Sequence, residues 1–356
     1  MWGPHLNTGQ SRANYDSQFR FGPEAIWTEL QNPKPDFRRI EGILLTMPIV
    51  TPFGRIFRLS IDWIIGFERD RRSATSSIHT VDARMIFAQI VATGRMAAAR
   101  AFVAACDQQI GTRWRVQEAH ILASAPVFPW VSRLGDQPLE DVQVCRGTGN
   151  ATFLVFCGGA HRFGCALNTV DLYFQPIPAN VVYLRDFNGS LYLEGIRSIG
   201  DFVQSVKALR RMVGEWGSKR LICVGNSGGG YGALLFGDAL AADQVISLSG
   251  RCTLERMEED NEVRPVFHRV SALATEGRLS PPDLLAAYEK SRIPVRWFYG
   301  ESHQFDAYHA NLFATSGTAW LEPIAGWEWH NVVGALAHSG RLHAVFREAA
   351  EPAGTQ

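Results

Sequence analysis

The chain has 356 residues, 35 basic and 35 acidic side chains, and 46% hydrophobic residues. This composition predicts a soluble globular protein with one large domain and a further segment. The net formal charge of zero argues against nucleic acid as a partner. The N-terminus lacks the basic and apolar regions of a secretory signal. Prolines and charged residues interrupt the apolar stretch 40–67, so we expect no membrane span.

Residues 1–39 are rich in Gly, Pro, Asn and Arg, which is typical of an extended arm. From Val81 to Cys106 apolar residues recur near helical spacing, and Gly94 interrupts them, so we predict a helical hairpin there. We therefore expect residues 1–139 to form a mainly helical extension, which offers a surface for a protein partner or for self-association.

The six cysteines lack the C-x-x-C spacing of metal and redox sites. Cys157 and Cys223 lie in apolar runs of strand character, so buried free thiols are the simpler interpretation. This pattern favours a reducing compartment. We predict a cytoplasmic protein with no metal and no cofactor.

From residue 140 to residue 350 the pattern is that of an α/β domain. Short apolar runs of strand length alternate with segments of helical character, which predicts a mostly parallel sheet with helices on both faces. The predicted strands are 142–145, 152–157, 181–184, 221–224, 245–248, 295–299 and 319–321, and the predicted helices are 197–216, 229–241, 281–291 and 331–350. Ser280 is the predicted cap of the helix at 281–291. The first two runs are alternatively an antiparallel hairpin at one edge.

Residues 225–229 read Gly-Asn-Ser-Gly-Gly and match the G-x-S-x-G nucleophile elbow. The motif follows a strand-like run and precedes a helical segment. A serine on such a turn has strained backbone, and side chains beside it would collide with the neighbouring strand and helix. The turn directs the Ser227 hydroxyl to a helix N-terminus, where free N–H groups favour negative charge.

A nucleophilic serine needs a base and an acid that orients this base. Asp306 follows the strand at 295–299 and is our first choice for the acid, with Glu301 in reserve; a solvated loop acid is the alternative for either. His330 follows the run at 319–321 and precedes a helix. Most single histidines are structural, but here nucleophile, acid and histidine occur in the chain order that hydrolases of the α/β class use.

Residues 140–350 therefore resemble an α/β-hydrolase domain. The resemblance implies that Ser227 attacks an ester, thioester or amide carbonyl. His330 would take the serine proton and return it to the leaving group, while Asp306 stabilises the imidazolium.

The resemblance also implies an oxyanion hole. Its donors would be the N–H of Gly228 and that of Gly159 or Ala160, in the glycine-containing loop after the run 152–157. Cys157 stands where the family often has a histidine, although the donors are backbone groups. The alternative is that this loop is a tight turn between strand and helix and binds no ligand.

Substrate contacts are expected from Asn226, His161 and Asp186, of which the last lies in a loop that a simple turn explains equally well. The insert at about 250–292 is cap-like. Its first half is highly charged, which argues against an interfacially activated lipase and equally suits a polar face in solvent.

Three alternatives stay open. Residues 228–233 match G-x-G-x-x-A of dinucleotide-binding proteins, but the next strand ends without a ribose-binding acid and the motif lies far from the first strand. An acyltransferase would use the same three side chains. A non-catalytic binding or scaffold protein would keep the fold without turnover, with residues 1–139 as its interaction module.

Overall fold

The computed structural model describes residues 99–100, 103–104, 117–127, 131, 133–134, 140–158, 161–257, 259 and 264–351. The chain divides into two compact units, one with Met1–Ala123 and Pro129–Leu139, the other with Ser124–Phe128 and Glu140–Gln356. Helix α1 (Gln117–Ala123) lies in the first unit. The predicted arm at 1–39 and most of the hairpin at 81–106 lie outside the described residues.

The second unit is built on a seven-stranded sheet in the order β1-β3-β2-β4-β5-β6-β7. The strands are β1 (Val142–Cys145), β2 (Ala151–Phe156), β3 (Ala179–Leu184), β4 (Arg220–Asn226), β5 (Gln244–Leu248), β6 (Val295–Gly300) and β7 (Ala319–Ile324). Strands β2 to β7 run parallel, and β1 pairs with β3 in the antiparallel direction. Each predicted strand is present, and the predicted α/β class is confirmed.

The hairpin alternative for the first two strands is wrong. β1 pairs with β3, with Val142 opposite Leu184 and Cys145 opposite Val181, so β3 lies between β1 and β2.

Eight helices are described in the second unit. They are α2 (Leu167–Phe174), α3 (Phe202–Glu215), α4 (Gly228–Leu240), α5 (Arg264–Thr275), α6 (Leu284–Ser291), α7 (Gln304–Ala314), α8 (Val332–His338) and α9 (Arg341–Ala350). Two predictions need correction. The segment 331–350 is two helices, because Gly340 takes a left-handed φ of 71° between them. Helix α6 is capped by Asp283, whose carboxylate accepts from Ala286 N–H at 3.0 Å, and not by Ser280.

Helices cover both faces of the sheet, as the alternation of side chains along β2 shows. Leu154 and Phe156 belong to the core cluster that includes Tyr231 of α4. Phe153, between them in sequence, points the other way and contacts Phe174 of α2 at a ring distance of 5.1 Å. A strand that is buried on both sides reads as a continuous apolar run, which is why these strands were visible in the sequence.

The strand order places a topological switch point between β2 and β4. After β2 the chain moves outward to β3 and then returns to the other side of β2 as β4. The two strands are in register near their carboxyl ends, with Phe156 opposite Gly225. Ligands of open parallel sheets bind in the crevice at such a point.

The cysteines of the described residues are buried free thiols, as expected: Cys145, Cys157, Cys165, Cys223 and Cys252. In the part of the chain that the structure describes, no helix combines the length and apolarity that crossing a bilayer requires.

Candidate active site

Ser227 stands at the switch point, between the end of β4 and the first residue of α4. Its backbone has φ 56° and ψ −125°, and its N–H donates to the Leu248 carbonyl at 2.9 Å. A left-handed φ costs a non-glycine residue about 1–3 kcal/mol, and such strain concentrates at functional sites. The serine side chain is partly exposed, while the flanking Asn226 and Gly228 are buried.

Two glycines of the elbow are required by close approach of the backbone. A Cβ on Gly225 would lie 2.1 Å from the carbonyl oxygen of Gly229 in α4. A Cβ on Gly229 would lie 2.1 Å from the carbonyl oxygen of Phe156 at the end of β2. The turn is therefore as crowded by strand and helix as the motif predicts.

The structure brings Ser227, His330 and Asp306 into one hydrogen-bonded chain. His330 Nε2 lies 2.7 Å from Ser227 Oγ, and His330 Nδ1 lies 2.7 Å from Asp306 Oδ1. Because an ionised carboxylate only accepts, we assign the imidazole proton to Nδ1, which leaves Nε2 to accept from the serine hydroxyl. The imidazole is 12% exposed and the carboxylate is fully buried.

The loop that carries His330 is anchored by the next residue. Asn331 caps α8 by accepting from Val333 N–H at 3.2 Å, and its Nδ2 donates to the Gly164 carbonyl at 2.6 Å. The amide thus ties the histidine loop to the segment that precedes α2.

The sequence predicted Asp306 in the loop after β6, but the residue lies in the first turn of α7. The reserve acid, Glu301, is exposed, and its carboxylate accepts from Gly326 N–H at 3.3 Å. Of the two carboxylates, only Asp306 has a hydrogen bond to His330 in the structure.

Two further side chains contact the Asp306 carboxylate. Arg251 Nη1 donates to Oδ1 at 3.0 Å, and His303 Nδ1 lies 3.1 Å from the same oxygen. Burial alone would raise the pKa of Asp306, but the charge of His330, the hydrogen bonds from His303 and His330 and the charge of Arg251 outweigh burial and lower it below its usual value. Asp306 is therefore ionised at neutral pH.

His303 has two alternative roles beside Asp306. As the N-cap of α7, its Nδ1 accepts from Asp306 N–H at 3.3 Å, which requires Nδ1 to be unprotonated. A protonated His303 would instead donate to Oδ1. With Nδ1 unprotonated the ring caps the helix, and with a proton on Nδ1 it donates to the carboxylate.

His303, Asp306 and His330 also have a spacing that a metal ion could use, because their ligand atoms lie within 4.8 Å of one another. However, the Asp306 oxygen already contacts the Arg251 guanidinium, and a metal cation at this point would meet a positive charge. The absence of a metal stays a prediction.

Gly158, in the loop after β2, lies against the serine. A Cβ there would stand 3.2 Å from Ser227 Cβ and 3.0 Å from the Asn226 carbonyl oxygen. The N–H groups of Cys157 and Gly158 donate to the carbonyls of Leu184 and Arg162, so both are engaged. The predicted donors in this loop, Gly159 and Ala160, lie outside the described residues.

Gly228, the other predicted donor, is the first residue of α4. The first N–H groups of a helix have no partner within it, so this group points out of the helix end beside Ser227.

Two of the three predicted substrate contacts have a polar atom available. Asn226 Oδ1 and His161 Nδ1 are buried and have no hydrogen-bond partner among the described residues. The His161 ring packs edge-on against Phe187 at 4.6 Å, and burial, followed by the charges of Arg185 and Arg197, lowers its pKa to about 4. His161 is therefore neutral at neutral pH.

Asp186 has the contacts of a turn-forming residue. Its carboxylate accepts from the N–H groups of Gly189, Ser190 and Tyr192 at 3.0, 2.8 and 3.1 Å. These bonds correspond to the simple-turn alternative, and substrate binding by Asp186 stays a prediction.

Sequence reasoning missed Arg251 and His303. Arg251 belongs to the charged half of the insert at 250–292, for which a polar face in solvent was one alternative, but its side chain is completely buried. Its position two residues after Ser249, which follows β5 at the carboxyl edge of the sheet, was the available signal.

No protein-family model and no curated protein matches the chain. Solved structures similar to it include a carboxylesterase of the thaumarchaeon Nitrososphaera gargenis, with 13% identity, a TM-score of 0.41 and coverage of 58% of this chain and 94% of that one. MenH from S. aureus has 12% identity and a TM-score of 0.40, and the match covers 59% of this chain and 98% of MenH. The capsule O-acetyltransferase of Neisseria meningitidis serogroup A has 13% identity and a TM-score of 0.43, over 59% of this chain and 92% of that one.

The fold of residues 140–350 is that of the α/β-hydrolases. Its features are the mostly parallel sheet, the serine at a strained turn between β4 and α4, and helices on both faces. The distant similarities indicate no particular activity.

Proposed function

We propose that the protein is a serine hydrolase that cleaves an ester, thioester or amide bond through an acyl-enzyme on Ser227. The observation that carries this proposal is the hydrogen-bonded chain from Ser227 Oγ through His330 to Asp306, with 2.7 Å in each step. A base within hydrogen-bond reach of the hydroxyl, and an acid that orients this base, are what activation of a serine requires.

In the first half-reaction, Ser227 Oγ attacks the acyl carbon while its proton passes to His330 Nε2. Asp306 accepts the Nδ1–H bond and stabilises the imidazolium. The tetrahedral intermediate then expels the leaving group, which takes the proton from Nε2, and the acyl group stays on Oγ.

In the second half-reaction, a water molecule gives a proton to Nε2 and attacks the acyl-enzyme. Collapse releases the carboxylic acid and returns the proton to Ser227 Oγ. An alcohol, thiol or amine acceptor in place of water would make the enzyme an acyltransferase with the same side chains.

The negative charge that develops on the carbonyl oxygen needs preorganised donors. The Gly228 N–H at the start of α4 is the donor we propose from the elbow, with Gly159 or Ala160 as the second. Gly158 supports this placement, because the β2 loop runs so near the serine that a Cβ on Gly158 would stand 3.2 Å from Ser227 Cβ.

The test is covalent labelling by a fluorophosphonate, read by intact mass. We expect one adduct on the wild type and none on Ser227→Ala, with labelling by His330→Ala reduced by orders of magnitude. Two matched controls, Ser198→Ala and His268→Ala, replace exposed residues of the same types and should label like the wild type.

Full labelling of a folded Ser227→Ala variant would contradict the mechanism. A folded wild type without any adduct would favour the binding-protein alternative, and residues 1–139 would then be used in a search for partners. After a positive result, product analysis with and without an added alcohol or thiol separates hydrolysis from acyl transfer.

A further inference from the structure

Arg251 approaches the acid of the proposed triad from a different part of the sheet. It follows β5, whereas Asp306 is in α7, after β6, and the two residues are 55 positions apart in sequence. Arg251 Nη1 donates to Asp306 Oδ1 at 3.0 Å, and both side chains are fully excluded from solvent. The same oxygen accepts from His330 Nδ1 at 2.7 Å.

This ion pair differs in kind from the surface pairs of the chain. A guanidinium keeps its charge at all ordinary pH values, and charges interact more strongly in the interior than in water. Removal of one partner leaves the other buried without compensation. Because Arg251 and His330 donate to the same carboxylate oxygen, a change at Arg251 alters the position and the charge environment of the acceptor that His330 uses.

We propose that Arg251 is a positioning residue that works through Asp306: it holds the carboxylate against His330, and its charge sets the pH range over which Ser227 reacts. This inference rests on the proposed function of Ser227, His330 and Asp306.

The direction of the pH effect follows from the charges. The Asp306 carboxylate favours the protonated imidazole, and a positive charge on the same carboxylate oxygen opposes this effect. Arg251 should therefore hold the acid limb of the labelling profile at lower pH. Without this charge the acid limb of the activity profile should move to higher pH by about one unit.

The other titratable groups near Asp306 do not replace Arg251. His303, at the N-cap of α7, contacts the same carboxylate oxygen at 3.1 Å and is unchanged in the variants of Arg251. His309, one turn further along α7, is buried, and burial together with the charge of Arg251 lowers its pKa to about 3, so it stays neutral. The Cys252 thiol stays neutral too, because burial raises its pKa to about 12.

The experiment is the pH dependence of the second-order rate of fluorophosphonate labelling. Arg251→Gln, which keeps a hydrogen-bond donor but no charge, should move the acid midpoint up by about one unit and slow labelling about tenfold below it. Arg251→Lys, which keeps the charge, should retain the wild-type midpoint. Arg269→Gln, which breaks an exposed pair with Glu194, is the matched control and should shift nothing.

Whether Arg251 acts through Asp306 is tested by repeating the Arg251→Gln change in the Asp306→Asn variant. In Asp306→Asn, the additional change Arg251→Gln should cause no further loss of the plateau labelling rate, because the carboxylate that Arg251 positions is already absent. If Arg251→Gln alone does not fold, thermal unfolding decides: the double variant should melt above Asp306→Asn, because it removes an uncompensated buried charge. Additive losses of stability would overturn the proposal.

An acid midpoint of Arg251→Gln equal to that of the wild type would also overturn the inference. The proposed function would stand in that case, as long as Ser227 of the wild type is labelled. Failure of the proposed function is a different result, namely a wild type that does not label or that labels equally in Ser227→Ala.

Discussion

Gly158 and Ser227 lie across the switch point of the sheet with no room for a side chain of normal contact distance on Gly158, although 68 residues separate them in the chain. A Cβ on Gly158 would lie 3.2 Å from Ser227 Cβ and 3.7 Å from its Oγ. The turns that follow the neighbouring strands β2 and β4 thus lie side by side at the hydroxyl. The space between them is too small for a methyl group on Gly158 at ordinary contact distance.

Gly158→Ala should impair the reaction of Ser227 more than it impairs folding. Contacts of 3.0–3.2 Å require the Asn226 carbonyl and the serine to shift by a few tenths of an ångström. Displacement of a reacting group by such amounts costs up to about 100-fold in rate. We expect fluorophosphonate labelling slowed roughly 10–100-fold with little change in melting temperature.

The control for this substitution is Gly214→Ala, near the end of α3, where a Cβ would have no atom within 4 Å outside the adjoining helix backbone. It should label like the wild type and melt slightly higher, because alanine is the better helix former. A Gly158→Ala variant with unaltered labelling would show that the contact does not constrain the serine.

Asp306→Asn should reduce turnover and labelling by about 10³–10⁴-fold, because the imidazole loses the acceptor that fixes its tautomer. Glu301→Gln is the matched change on an exposed carboxylate that accepts from Gly326 N–H, and it should retain nearly full rate. The opposite result, an inactive Glu301→Gln beside an active Asp306→Asn, would assign the acid role to Glu301.

The folded state should lose stability in mild acid because of His309. Its imidazole is 1% exposed, and burial lowers its pKa from 6.5 to about 3. Between these values the unfolded chain binds a proton that the folded chain does not. Stability from this group is therefore complete above pH 6.5 and falls by about 1.4 kcal/mol per pH unit as the pH decreases toward 3.

Urea unfolding of the wild type and His309→Gln at several pH values measures this effect. The variant should lack the contribution of His309 to the slope between pH 6.5 and 4.5, about 1.4 kcal/mol per unit, whatever its stability at neutral pH. His268→Ala, an exposed histidine of α5, should leave the slope unchanged. An unaltered slope in His309→Gln would exclude His309 as its source.

Asp186→Ala should act on stability and not on the chemistry. Loss of a buried carboxylate that accepts three backbone N–H bonds leaves the donors of Gly189, Ser190 and Tyr192 without their partner. We expect a loss of about 2–5 kcal/mol in unfolding free energy, with normal labelling of the fraction that stays folded. A selective loss of substrate turnover in a stable variant would instead support the substrate contact.

The sequence by itself determined the parts of this protein whose signal is local. The five central strands, β2 to β6, are buried on both faces and form nearly continuous apolar runs, which is the local signal that predicted them. The elbow was evident because the spacing of glycines around Ser227 is itself a local motif. Ser227, Asp306 and His330 could be chosen because each follows a predicted strand in the order known for the fold.

Only the tertiary structure decided which distant residues meet. The pairing of β1 with β3, the contact of His330 with Asp306 and not with Glu301, and the burial of Arg251 depend on partners far away in the chain. A charged residue in a polar stretch looks the same whether it faces water or a buried carboxylate. Its environment is a property of the folded packing, which local composition does not encode.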